Sequence, residues 1–212
     1  KTPFHIYLIS FVAFFSTLSV FGVYFVARQI WRDNYSGLIA ALFYAFSTAT
    51  FSRGMGYLYE DFALPFAFFS IYFYLKAVDA GNTSKSLLLS AISGLCIFIC
   101  LIGWHFSQFY FLTFTISLLV SYCIYPDEFS KDGKKYFSLA LTVAALSMLD
   151  TFLRTKNFIF SVQMITLWCG VVLLGYKHIQ LHDKIKKLLV FAIISVVLAA
   201  KLFIFSSGDG SY

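Results

Sequence analysis

Arg53, Glu60 and Asp61 fall within one short stretch, Phe51-Ser52-Arg53-Gly54-Met55-Gly56-Tyr57-Leu58-Tyr59-Glu60-Asp61-Phe62-Ala63-Leu64-Pro65-Phe66. A carboxylate pair near a guanidinium has two readings. It can complement a helix dipole and pair with the arginine, or it can hold a divalent cation or serve as acid or base. Two glycines make the turn permissive, and Pro65 suits the first turn of the helix that follows. Glu60 and Asp61 are therefore expected at a helix N-terminus. Neighbouring residues point in different directions on a helix, so the two acids would do different jobs.

A second cluster reads Ile102-Gly103-Trp104-His105-Phe106-Ser107-Gln108-Phe109. An interfacial aromatic belt accounts for Trp104 but not for His105 and Gln108, polar groups that need partners when buried. Trp104 and Gln108 are spaced i, i+4 and would face one another if the helix begins at the tryptophan. Indole, imidazole and amide together suit contact with a sugar or a polar head group. Asp150 and Arg154 are also spaced i, i+4 and read as an ion pair, with a phosphate contact open to Arg154. His178 and His182 have metal-like spacing but stand among lysines, as a solvated, lipid-facing surface would. The four cysteines (Cys96, Cys100, Cys123 and Cys169) sit in apolar runs and read as small packing residues. No P-loop, Gly-x-Ser-x-Gly or His-Glu-x-x-His motif occurs, and the identity of any metal is unknown.

The elements that must position these residues follow from composition. The chain is 60% hydrophobic and 12% charged, with 27 Phe among 212 residues, and its mean hydropathy is +0.81. Soluble domains carry about 25% charged residues. Too little polar surface remains to cover a water-soluble globule, which excludes soluble enzymes and nucleic-acid modules; no nucleic-acid partner is expected. Apolar runs fall near 4–27, 37–52, 62–76, 87–103, 109–125, 136–150, 158–176 and 188–205. They are continuous rather than alternating, which argues for helices and against barrel strands. The expected fold is an all-α polytopic transmembrane bundle of about eight spans in a single domain, residues 1–212.

Sorting the connections alternately places Arg28, Arg32, Lys76, Lys85, Lys131, Lys134, Lys135, Lys177, Lys184, Lys186 and Lys187 in one set. The other set holds only Arg53, Arg154 and Lys156. The basic set is expected to be cytoplasmic, which puts both chain ends on the lumenal or extracellular side. The ends, Lys1 and a polar Ser-Gly-Asp tail, read as those of an internal piece of a longer protein, lacking a first lumenal loop and a C-terminal part.

The loop residues resemble the GT-C superfamily, polytopic glycosyltransferases that use polyprenyl-phosphate-linked sugars on the non-cytoplasmic face. The segment from Trp104 to Thr113 is similar to the Trp-x-Phe-x-Gln-Phe…Leu-Thr segment of the dumpy-type protein C-mannosyltransferases. Arg53-Gly54-Met55 with Glu60-Asp61-Phe62-Ala63-Leu64-Pro65-Phe66 looks like that family's Arg-x-Met…Glu-Ser-Phe-x-x-Pro-Phe, and the Lys201…Gly208-Asp209 tail also resembles it. The stretch Ser47-Thr48-Ala49-Thr50 departs from that family's Asn-His-Gly-Glu, and the spacing from Arg53 to Glu60 is two residues shorter. That spacing fits a competing branch, the catalytic subunit of oligosaccharyltransferase, whose Arg…Gly-x-Tyr-Asp-x-Glu corresponds to Arg53 through Tyr59-Glu60-Asp61. The order of the acids is changed, and that branch's Trp-Gly-Gly stands as Trp104-His105-Phe106 here.

The resemblance implies an enzyme of the endoplasmic reticulum membrane, or of the plasma membrane in a prokaryote. It would transfer sugar from a polyprenyl(dolichyl)-phosphate-linked donor to a polypeptide acceptor, at tryptophan in the first branch and at Asn-x-Ser/Thr in the second. It implies catalytic roles for Glu60 and Asp61 and substrate contacts from Arg53, Trp104, His105, Gln108 and Arg154. The principal catalytic acid is expected in a loop before residue 1. No cofactor is certain; a divalent cation enters only with the oligosaccharyltransferase branch. Membrane lipid is a partner in either. A transporter of lipid-linked substrate and a non-catalytic membrane subunit are the rivals from other classes. A transporter would need polar features at the bilayer midplane, whereas the polar residues here cluster at one face.

Two sequons test the orientation. Asn34-Tyr35-Ser36 and Asn82-Thr83-Ser84 match N-x-S/T but lie in the basic connections. Neither should carry sugar when the protein is expressed in eukaryotic membranes and treated with an endoglycosidase. A mobility shift traced to either asparagine would reverse the topology.

Overall fold

A computed structural model describes residues 4–47, 59–103, 106–125 and 131–175. All regular structure in them is helical. The long elements are α1 (Phe4–Trp31), α2 (Asn34–Phe46), α3 (Tyr59–Asp79), α4 (Thr83–Gly103), α5 (Ser107–Ile124) and α6 (Gly133–Leu149). A five-residue α7 (Thr151–Thr155) and a 3-10 turn (Phe158–Phe160) follow, and α8 (Val162–Gly175) ends the described chain. A helix lies in each of the first seven expected apolar runs, although α2 ends at Phe46 and residues 48–52 of the second run are outside the described residues; the eighth run, near 188–205, also lies outside them, as do His178 and His182. By length and composition, Ser10–Trp31, Asp61–Asp79 and Thr83–Gly103 can each cross a membrane, while α2 and α8 are shorter apolar helices.

Local chemistry explains the boundaries. α1 continues past the expected stop at residue 27 because Arg28, Gln29, Ile30 and Trp31 contain no helix breaker. Arg32 then adopts a left-handed conformation (φ 55°) that ends it. Asp33 caps α2 at once, accepting from the Ser36 amide at 2.8 Å and the Ser36 hydroxyl at 3.0 Å. The Ser36 amide, and lesser bonds around it, hold the Asp33 carboxyl below its ordinary range. Ser161 performs a weaker version of the same task for α8, accepting from the Met164 amide at 3.4 Å.

Lipid tails are as apolar as leucine, so hydrophobicity alone gives these helices little reason to associate; small residues and interhelical hydrogen bonds do. α4 supplies both. Half of its spanning window is buried, against 28% for α1, and its buried residues include Ser86, Ser90, Ser93 and Gly94. Ser86 donates to the Ala77 carbonyl of α3 (2.8 Å) and Ser93 to the Ser70 carbonyl (2.7 Å). On the other side Ser90 donates to the Lys135 carbonyl of α6, and Ser138 of α6 returns a bond to Leu87 (3.1 Å). α3 and α6 thus flank α4, α1 packs on α3, and α2 on α1. α8 packs on α5 and α6. The main apolar core lies among α4, α5, α6 and α8, with Ile97, Phe111, Leu139, Val143 and Leu167 fully buried or nearly so. The outward faces carry Phe43, Phe46, Leu88 and Leu149 in the open, which suits lipid rather than water.

The packing sorts the connections by end. Lys135 at the start of α6 donates to Val78 at the end of α3 (2.8 Å), and Gln29 at the end of α1 donates to Asp79 (2.7 Å). The described members of the basic set therefore occupy one end of the bundle. The start of α3 and the end of α4 meet at the opposite end.

Gly170 of α8 shows how tight the core is. A Cβ there would collide with the phenol of Tyr136, whose fully buried hydroxyl donates to the Leu167 carbonyl at 2.9 Å. Gly170→Ala should destabilise the bundle by about 1–3 kcal/mol through overpacking. Gly81→Ala, with nothing within 4 Å of the new atom, should stay within about 0.5 kcal/mol. Thermal unfolding in detergent compares the two; equal midpoints would remove Tyr136 from that contact.

Candidate functional site

The acidic turn sits where α3 begins. The helix starts at Tyr59, so Glu60 and Asp61 lie inside its first turn, as the sequence led us to expect. Pro65 does not: it lies in the second turn, inside the helix. Having no N–H, it cannot close the ladder onto the Asp61 carbonyl, which loosens the backbone directly behind the acids. Asp61 is buried, at the helix end whose dipole favours a negative charge. Arg53 lies outside the described residues, and of Glu60 only its place in the helix is described.

Gly103, Phe62 and Ala63 fix this turn, and the sequence reading gave none of them a packing role. A Cβ on Gly103, the last residue of α4, would come within 2.8 Å of the Phe62 ring, so glycine is what lets the start of α3 lie against the end of α4. Ala63 and Cys100 are buried together below it, with Phe66 and Tyr110 packed against them. Phe62 also meets Phe15 of α1 at 4.9 Å between ring centroids. A glycine closing an apolar run was the available signal. Cys96, Cys100 and Cys169 are free thiols, the first two buried, in keeping with a packing role.

Gln108 reaches the same end on another element. α5 begins at Ser107, not at the tryptophan, and its N-cap is Phe106. Trp104 and His105 lie outside the described residues, between α4 and that cap. The condition for Trp104 and Gln108 to face one another on a helix is therefore not met. Gln108 is half-buried in the first turn of α5, beside the fully buried Ser107. α5 is tied to α3 two residues on. Tyr110 Oη lies 2.6 Å from Ser70 Oγ and 2.9 Å from the Ala67 carbonyl, with Ser70 Oγ 2.8 Å from the same carbonyl. Two hydroxyl hydrogens serve three contacts, so either arrangement of them holds α5 against α3.

Arg154 stands on a different flank of this end. The expected ion pair with Asp150 does not form: the pairs among the described residues are Arg32–Asp79 and Lys135–Asp132. Asp150 instead ends α6 and caps α7, accepting from the Leu153 amide at 2.8 Å. Capping a helix start uses the carboxylate more directly than reaching along the surface to a mobile guanidinium. Arg154 is exposed in the last turn of α7, a position that complements its dipole. Buried Leu153 and Phe158 anchor this segment, with Phe158 6.3 Å from Phe111 of α5. The structure thus places Asp61 at the start of α3 and Gln108 at the start of α5, toward the same end of the bundle, with Arg154 on α7 apart from both. A divalent cation wants about six oxygen ligands. Among the described residues no three His, Cys, Asp or Glu side chains converge.

A wholly helical bundle with apolar outer faces and its acidic turn at one end defines an integral membrane protein, consistent with the GT-C resemblance. Residues 5–207 match the model of the family described as oligosaccharyl transferase STT3, N-terminal. The chain belongs to that family, and so to the membrane glycosyltransferases. Of the two branches that the sequence resembles, this match supports the oligosaccharyltransferase one and does not speak specifically for C-mannosylation. No curated protein and no solved structure matches the chain.

The cap assignment separates from the ion-pair one by a conservative change. Asp150→Asn should keep the α7 cap and leave the unfolding midpoint nearly unchanged, whereas Asp150→Ala should cost about 1 kcal/mol. Equal losses in both variants would restore the charge pair with Arg154.

Proposed function

We propose that the chain is the transmembrane part of an oligosaccharyltransferase catalytic subunit. It would transfer an oligosaccharide from a polyprenyl(dolichyl)-linked donor to the asparagine of Asn-x-Ser/Thr acceptors, on the lumenal face of the endoplasmic reticulum membrane or its prokaryotic equivalent. The observation that carries this reading is the family match over nearly the whole chain. The shorter Arg53-to-Glu60 spacing also favours it. In this reading the end opposite the basic connections is lumenal, and the carboxylates at the start of α3 face the reacting groups there.

The chemistry asks for two things at the membrane surface. The acceptor amide is a weak nucleophile and needs a carboxylate to take its proton or hold its N–H groups. The departing lipid-linked phosphate gains charge and needs cationic donors, best supplied by a guanidinium that can bind two oxygens. Glu60 and Asp61 are the carboxylates of this proposal. Arg53 is the phosphate or acceptor contact. Trp104, His105 and Gln108 shape the sugar or lipid-phosphate pocket, and Arg154 is a second phosphate contact approaching from the α7 flank.

C-mannosylation of tryptophan remains a second reading because of the Trp104–Thr113 segment, and one experiment separates the two. Membranes containing the full-length protein are assayed with an Asn-x-Thr peptide and a Trp-x-x-Trp peptide. We expect transfer to the first, falling by about 100-fold or more in Glu60→Gln with the protein level unchanged. Transfer to the tryptophan peptide alone would select the other branch. Unchanged transfer to asparagine in the variant would remove Glu60 from the mechanism.

A further inference from the structure

The end of the bundle opposite the acidic turn has its own recess. A groove of about 420 Å³ opens between the C-terminal turns of α1 and α3, and Arg28, Arg32 and Lys76 all line it. Placement at helix C-termini explains why basic residues are tolerated there, and orientation explains their sign. Neither explains why three of them converge on one concave site. We infer that this groove binds the phosphate head group of an anionic phospholipid.

The charge arithmetic leaves an excess. The groove holds three cations and one carboxylate, Asp79. Gln29 engages that carboxylate, donating to Oδ2 at 2.7 Å. The Arg32 contact to Oδ1 is long at 3.5 Å, between side chains 79% and 43% exposed, so it holds little of the guanidinium. Arg28 pairs with no carboxylate among the described residues. Lys76 donates to the Tyr72 hydroxyl at 2.9 Å, with its ammonium 5.1 Å from the ring centroid. Neither partner neutralises it. Two guanidiniums and an ammonium are what a phosphodiester asks for.

The wall of the groove selects a lipid over free phosphate. Phe25 and Tyr72 line it with ring centroids 5.2 Å apart, and Phe25 also meets Phe69, one turn deeper on α3, at 6.5 Å. One turn deeper on α1, Phe21 is 53% exposed. An aromatic track therefore leads from the cations down the outside of two membrane helices. A head group at the top with acyl chains along the track uses both halves; inorganic phosphate uses only one. Basic recesses between membrane helices bind such head groups by this combination. The inference stands independently of the transfer reaction.

Native mass spectrometry of the full-length protein in detergent tests it, titrating short-chain phosphatidylglycerol, short-chain phosphatidylcholine and inorganic phosphate. Phosphatidylglycerol should bind roughly tenfold more tightly than phosphatidylcholine, and Arg28→Gln and Lys76→Gln should each weaken it about fivefold. Lys85→Gln, exposed at the same end but outside the groove, should change nothing. Asp79→Asn should tighten binding, a gain that a misfolded protein cannot show. Equal binding of the two lipids, or wild-type binding by both Arg28→Gln and Lys76→Gln, would overturn the proposal. Displacement of the lipid by equimolar inorganic phosphate would overturn the assignment to a lipid.

Discussion

The bonds from α4 serines to backbone carbonyls on both sides are the constraint from which the rest of the bundle follows. In water, burying Phe, Leu and Ile would draw these helices together; within lipid that gain is largely absent. What remains is close packing and the exchange of polar partners. Ser86 and Ser93 reach α3, Ser90 reaches α6, and Ser138 of α6 reaches back to Leu87. Each such bond contributes only on the order of 0.6 kcal/mol in membrane helices, so their main effect is on register. A one-residue slide of α4 would break all of them together.

Register at α4 decides what arrives at each end. Because Ser86 sits on Ala77 and Ser93 on Ser70, Gly103 must arrive beside Phe62 and Ala63, in the same turn as Asp61. Tyr110 then ties α5 to α3 below the same point, bringing Gln108 to that end. At the other end the same register sets Lys135 on Val78, and the α1–α3 contact sets Gln29 on Asp79. The serine bonds, most of them near the basic end of α4, thus set which residues meet at both ends.

Much of this was legible in the sequence, for physical reasons that differ by feature. Hydrophobic runs and the sorting of lysine and arginine depend on transfer free energies that act residue by residue, so composition and order carry them directly. Family membership was legible in two loops, although the branch that those loops ranked first is not the one the family match supports. Local backbone choices were less legible. Asp150 and Arg154 have ion-pair spacing, but Asp150 instead ends one helix and caps the next, a choice set by the direction in which the chain must turn. Gln108 has the right spacing from Trp104, but spacing has meaning only within one helix, and α5 starts three residues after the tryptophan. Gly103 and Gly170 looked like ordinary residues of apolar runs; the atoms that exclude a Cβ from them belong to other helices.

α1 and α3 join the two ends more directly than any other pair. α3 begins with the acidic turn and ends at Asp79; α1 lies along it, from Phe15 against Phe62 to Gln29 against Asp79. Their shared surface is aromatic for most of its length, from Phe15, Phe62 and Phe66 to Phe25, Phe69 and Tyr72. Midway along it the helices approach more closely than rings alone allow: a Cβ on Gly22 of α1 would come within 2.7 Å of Phe68 of α3. Glycine therefore sets the α1–α3 distance as small residues do elsewhere in membrane bundles, and the ring contacts fill the seam above and below it. Pro65 interrupts the α3 ladder just behind Asp61, so the turn that carries the acids is held by this packing and by Gly103 rather than by a complete set of helix hydrogen bonds.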